Sequence, residues 1–234
     1  MLLGRRIDFE RRMRRFPPVT ASLIGVLGAV FALEVAVGAL GSREALVSAG
    51  ALARDPVLAG EYWRLVTATL LHGSLDHLLG NAIALYILGI ICEHAFVARQ
   101  FVILYVLSAL AGSLLSLALG AGPSVGASGA IFGLQGAAIV LFYKYRRDLL
   151  LRDKRIGVVL LAWAIYSVLS GAVTPYIDNG AHLGGAVGGA LVAAGLHPAV
   201  LRRRPPDGHE AGVLGLLGLV AFVVGYAVVA WLVL

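Results

Sequence analysis

Seven stretches of about twenty apolar residues follow one another along the chain, and the connections between them hold most of its charge. A helix needs ~20 such residues to cross the hydrocarbon of a bilayer. The segments are 19–41, 75–95, 99–119, 126–145, 156–173, 180–198 and 211–234. Of the 234 residues, 59% are hydrophobic and only 14% are charged, where a soluble domain carries about a quarter. Such a chain cannot cover its own surface with polar groups, so its solvent is largely lipid. Unpaired backbone is not tolerated there, which makes every spanning segment a helix. The expected fold class is an all-α polytopic membrane protein.

The net charge of +6 does not point to nucleic acid, because the basic residues sit in short segments between apolar spans. With the N-terminus in the cytoplasm, sixteen of the nineteen Lys and Arg residues fall inside: the tail, Arg99, the 144–155 connection and Arg202 to Arg204. Arg43, Arg54 and Arg64 fall outside. That asymmetry orients a membrane protein. Residues 1–16 carry six arginines and lead through Pro17-Pro18 into an apolar run without a small-residue cleavage site. The first span is therefore expected to be retained. The connection 42–74 is the one long loop, and its Tyr62-Trp63-Arg64 cluster suits a membrane interface. The single cysteine, Cys92, lies within an apolar span and reads as a core residue.

In this orientation spans 2, 4 and 6 all begin at the outer face. His77 and Asn81 fall in the first turns of span 2, Ser128 in the first turn of span 4 and His182 in the first turn of span 6. A hydroxyl and an imidazole thus lie at matching depth. Most membrane serines bond back to their own helix, and Ser22, Ser108, Ser113, Ser116, Ser167 and Ser170 read that way. Ser128 differs. Gly126 and Gly129 flank it and leave room for a substrate backbone, and it opens a helix whose first N–H groups have no intrahelical acceptor. Those groups and the helix dipole would stabilise a developing oxyanion. An ionisable residue inside a membrane is a functional candidate by default, and a neutral His182 can take the serine proton and return it to a leaving amine.

Spans 4 and 6 must touch for this pair to meet. Gly129, Gly133 and Gly136 in one, with Gly184, Gly185, Gly188 and Gly189 in the other, permit close approach in lipid. His77 and Asn81, four apart, share a helix face and offer two donors. Other membrane-protease chemistries lack their residues: there is no His-Glu-x-x-His zinc motif, no pair of acids within the spans, and no lysine near Ser128. No metal or other cofactor is expected.

These residues resemble the rhomboid family of intramembrane serine proteases. Trp63-Arg64 is similar to the family's Trp-Arg motif in the first outer loop. His72 with His77-x-x-x-Asn81 resembles its second-span signature. Gly126-Ala127-Ser128-Gly129 resembles the Gly-x-Ser-Gly nucleophile motif, and Ala181-His182-x-Gly184-Gly185 the sixth-span base motif. The resemblance implies a rhomboid-like six-helix bundle (19–198) with a C-terminal seventh transmembrane helix (211–234). A basic cytoplasmic tail (1–18) precedes the bundle and a cytoplasmic linker (199–210) follows it. It implies Ser128 as nucleophile and His182 as general base. The oxyanion site would comprise the Ser128 N–H, Asn81 and His77. Phe132, where tyrosine is frequent, would pack on His182. Asp178 is not assigned a triad role, and Glu93 is expected to be structural. Glu34, an acid within span 1, is expected to hydrogen-bond another helix.

The implied activity is endoproteolysis of single-span transmembrane substrates in or near the outer part of the bilayer. The alternative is a catalytically silent rhomboid-like protein that binds membrane clients; such relatives typically lack the serine or the histidine. The Ala/Gly/Arg-rich, lysine-poor composition suggests a GC-rich bacterial genome and hence a plasma membrane. Nothing in the sequence sets the oligomeric state.

Overall fold

The computed structural model describes residues 7–120, 122–150, 155–173 and 177–201; the expected seventh segment and the linker before it, from 202 on, lie outside them. In chain order the elements are β1 (Ile7–Asp8), α1 (Phe9–Met13), α2 (Pro18–Ala36), α3 (Arg43–Ser48), α4 (Arg54–Leu58), α5 (Arg64–Thr67), α6 (Leu75–Ala118), α7 (Ser128–Lys144), β2 (Leu149–Leu150), α8 (Ile156–Val173) and α9 (Asn179–Gly195). Their starts follow local chemistry. Pro18 takes the first position of α2, where its missing N–H costs nothing. The Ser74 hydroxyl accepts from the His77 N–H at 3.2 Å and opens α6. The Asp178 carboxylate accepts from the Ala181 N–H at 2.9 Å and opens α9.

The expected second and third spans are the two arms of α6, which is broken at Val97 (φ 52°, ψ 170°). A β-branched residue at positive φ is an outlier, and here it marks a reversal. His77 and Gly112 would stand roughly 50 Å apart on a straight helix. Yet a Cβ on Gly126 would lie 2.7 Å from the His77 ring, and one on Gly112 would lie 3.4 Å from the Gly129 Cα. Both arms therefore border the same short segment, and α6 doubles back.

Contacts sort the bundle into two ends. At one end the Glu93 carboxylate accepts from the Val19 N–H (3.0 Å), the Thr20 N–H (2.8 Å) and the Thr20 hydroxyl (2.7 Å), fastening the start of α2. Gln100 bonds the His197 carbonyl and the Ala199 N–H, and Lys144 Nζ donates to the Ala194 carbonyl. Arg146 and Arg147, which follow Lys144, share this end. At the other end lie Glu34, His72, His77, Ser128 and His182, joined through the contacts given below. The bundle thus separates its basic connections from its candidate site by the length of the helices.

Among the described residues three helices are long and apolar enough to cross a membrane: α2, α6 and the one beginning at Asn179; α7 and α8 are shorter apolar helices. Leu79, Ile83, Ile87, Leu161, Leu169, Leu183 and Leu191 are exposed on helix surfaces. Helices apolar on their outer as well as inner faces belong in lipid. The protein is a multi-pass, mostly helical membrane protein.

Two regions differ from the sequence expectation. The 42–74 connection is not an irregular loop; it carries α3, α4 and α5. Arg64, read as an interface residue, is 5% exposed and turns inward, donating to the carbonyls of Val47 and Ala51 and pairing with Glu61 at 2.7 Å. A guanidinium with five donors satisfies several loop carbonyls at once, which is worth more than an exposed position. The described part of the N-terminal tail is docked. Residues 7–8 pair in parallel with 149–150, and the buried Phe9 meets Phe142 edge to face, centroids 6.0 Å apart. No alternation in so short a stretch announced a strand.

Candidate active site

Ser128 is the first residue of α7, behind a non-helical turn in which Gly126 has φ +126°. His182 lies in the first turn of α9. Their side chains meet: His182 Nε2 stands 2.9 Å from Ser128 Oγ, a hydrogen bond across 54 positions of sequence. With Nε2 accepting the hydroxyl proton, the ring proton sits on Nδ1. Nδ1 is buried and has no partner among the described residues. Asp178, near in sequence, is occupied elsewhere: one oxygen caps Ala181 and the other accepts from the Ser116 hydroxyl. Among the described residues no carboxylate is hydrogen-bonded to the imidazole. Phe132, one turn beyond Ser128, lies flat on the imidazole, with centroids 4.1 Å apart and planes at 13°.

Glycine sets the spacing between α7 and α9. A Cβ on Gly185 would fall on the Gly129 carbonyl, and one on Gly189 on the Gly133 carbonyl. Each glycine of the seam thus replaces a side chain with direct backbone contact, the geometry small residues allow between membrane helices. Gly112, in the second arm of α6, completes the corner: a Cβ there would lie 2.7 Å from the carbonyl of Ala181, the residue before His182. In the sequence Gly112 is marked only as a small residue among the apolar ones of span 3.

His77 and Asn81 stand over Gly126. A Cβ at that glycine would lie 2.7 Å from the His77 ring and 3.5 Å from Asn81 Nδ2. Asn81 is 7% exposed and its Nδ2 has no acceptor among the described residues. Buried donors are normally paired, so a donor left open beside Gly126 is available to a bound group. Behind them lies the fully buried His72, its ring edge-on to His77 at 5.1 Å. The His72 N–H donates to both Glu34 oxygens at 3.0 Å. The partner of Glu34 is thus the backbone of the segment before α6, not the neighbouring helix that was expected. Trp63 lies under the Arg64 guanidinium at 4.5 Å and against Gly50. It belongs to the framework of the 42–74 segment, and neither it nor Arg64 is placed beside Ser128 by any contact.

A polytopic helical membrane protein with a serine hydroxyl hydrogen-bonded to an imidazole at one end of its bundle is the class that fold and site define. Similarity to known proteins makes it narrower. The Rhomboid domain model matches residues 59–199. The chain is 35% identical to rhomboid protease GluP of Bacillus subtilis over 71% of its own length and 32% of that protein. It is 38% identical to RHOMBOID-like protein 5 of Arabidopsis thaliana, over 68% of itself and 50% of that relative. It is 29% identical to rhomboid protease AarA of Providencia stuartii, over 66% of itself and 63% of that relative. The chain belongs to the rhomboid family, and its match spans 32% to 63% of the length of these relatives.

Proposed function

We propose that this protein is an intramembrane serine endopeptidase that cleaves single-span transmembrane proteins. The observation that carries the reading is the 2.9 Å hydrogen bond between His182 Nε2 and Ser128 Oγ. Two relatives are named rhomboid proteases, which agrees with it.

Ser128 attacks the scissile carbonyl while His182 takes its proton; the imidazolium then gives that proton to the departing amine. The tetrahedral oxyanion is met by the Ser128 N–H at the start of α7, by Asn81 Nδ2 and by His77. These groups are fixed before the substrate arrives and add no reorganisation at the moment of reaction. Hydrolysis of the acyl-enzyme repeats the sequence with water as nucleophile. Because no carboxylate among the described residues pairs with Nδ1, the orientation of His182 rests on packing against Phe132.

The seventeen residues of α7 span roughly 25 Å, less than the ~30 Å hydrocarbon. With Lys144 held at the basic face, Ser128 lies just inside the opposite one. Positive-inside orientation makes the basic face cytoplasmic, with the N-terminus inside and the cut made in the outer part of the bilayer. A six-plus-one arrangement in a bacterial plasma membrane completes the reading.

The test is cleavage of a single-span reporter by purified protein, comparing wild type with Ser128→Ala and His182→Ala. Loss of cleavage in both, with folding preserved, is expected. Cleavage by all three would place the chemistry elsewhere. Reporter retention without cleavage by wild type would favour a client-binding protein instead.

A further inference from the structure

Away from the Ser128–His182 end, a cleft of about 420 Å³ opens between the end of α7 and the start of α8. Its wall changes character along its length. Ile139, Phe142 and Leu161 line it within the helices, and Arg146 and Arg147 line it in the connection beyond Lys144. Gly157 forms part of α8's side, where a Cβ would lie 3.3 Å from the Phe142 Cβ. A larger residue there would narrow the cleft.

Two features set the ligand chemistry at the polar end. Arg146 and Arg147 are both exposed. Arg146 stacks over Tyr143 at 5.2 Å and donates to the Tyr143 carbonyl at 2.8 Å, which holds one end of the guanidinium. Gly157 and Val158, in the first turn of the eighteen-residue α8, also line the cleft. N–H groups in a helix's first turn lack intrahelical acceptors and favour an anion, phosphate above all. Arginine adds a planar, permanently charged fork suited to the same group. At the other end the wall is apolar and belongs to helices that lie in lipid. A ligand that fits both ends carries a phosphate on an acyl chain.

We propose that this cleft binds one anionic phospholipid from the leaflet on the basic side of the membrane. Its phosphate rests on Arg146, Arg147 and the first turn of α8, and an acyl chain lies along Ile139, Phe142 and Leu161. Basic clefts between transmembrane helices are suited to such headgroups. The site is separated from Ser128 by most of the length of α7, and it requires no proteolytic activity.

The experiment uses the full chain in nanodiscs of phosphatidylcholine containing one fifth phosphatidylglycerol, with co-retained lipid counted by native mass spectrometry after release. Wild type is expected to retain about one phosphatidylglycerol and no comparable phosphatidylcholine. The double variant Arg146→Gln/Arg147→Gln should weaken that preference by roughly twentyfold to thirtyfold, two surface cations' worth. Leu161→Trp, which fills the apolar end and leaves the charges, should also lower retention. Equal retention of both lipids by wild type would overturn the proposal, as would an unaltered preference in the arginine variant. Retention lost in the arginine variant, kept in Leu161→Trp and competed by inorganic phosphate would identify a phosphate site without an acyl component. That too would overturn the lipid assignment.

Discussion

The rings of Phe132 and His182 lie face to face, 4.1 Å between centroids and 13° between planes. Phe132 follows Ser128 by one helical turn, so the helix that carries the hydroxyl also carries the ring on which the imidazole lies. A histidine without a carboxylate on Nδ1 depends on such a surface to keep Nε2 toward Ser128.

Replacing Phe132 by alanine should therefore free the imidazole and lower kcat by about tenfold to a hundredfold, the scale on which small misplacements act. Phe132→Tyr keeps the ring and should retain most of the activity. Reporter cleavage by membrane-reconstituted protein checks both, and an alanine variant with wild-type kcat would remove Phe132 from the positioning of His182.

Asn81→Ala removes the unpaired Nδ2 donor beside Gly126. If Asn81 meets the oxyanion, kcat should fall roughly 10²- to 10³-fold, while KM and thermal unfolding stay near wild type. A change confined to KM would instead mark Asn81 as a substrate-binding group.

The α7–α9 seam predicts a stability effect. A leucine at Gly189 would meet the Gly133 backbone. Overpacking of this kind costs about 1–3 kcal/mol or more, and it would also separate Ser128 from His182. Gly189→Leu should lower the midpoint of thermal unfolding in detergent and abolish cleavage, whereas Gly195→Leu, in open space, should do neither.

Glu34 holds the His72 N–H behind His77. Glu34→Ala leaves that buried donor unpaired, at a cost of about 1–3 kcal/mol. Glu34→Gln keeps an acceptor and should recover most of the lost stability. Equal unfolding midpoints for wild type and Glu34→Ala would show that the contact does not fasten this segment.

Much of this was legible before the structure. The 3.6-residue geometry of long apolar helices, with glycine at fixed spacing, places Ser128 and His182 at one depth and lets α7 and α9 touch. The reversal at Val97 was legible only as a pair of segments, because nothing in its residue type announces a positive φ. The inward turn of Arg64 was hidden for a different reason. Sequence gives a cation its charge but not the carbonyls that fold toward it. The strand pairing of residues 7–8 with 149–150 is set by tertiary packing around Phe9 and leaves no local pattern. Glu34 was visible as an isolated acid, yet its partner is a backbone N–H, a group every residue possesses.

The most direct test of the Ser128–His182 pair needs no substrate. Purified protein is treated with a fluorophosphonate probe, and the labelled residue is mapped by peptide mass spectrometry in wild type, His182→Ala and Ser128→Ala. Labelling at Ser128 is expected in wild type, with strong loss in His182→Ala and none in Ser128→Ala. Equal labelling of Ser128 with and without His182 would contradict the pairing, because the hydroxyl would then owe nothing to the imidazole 2.9 Å away.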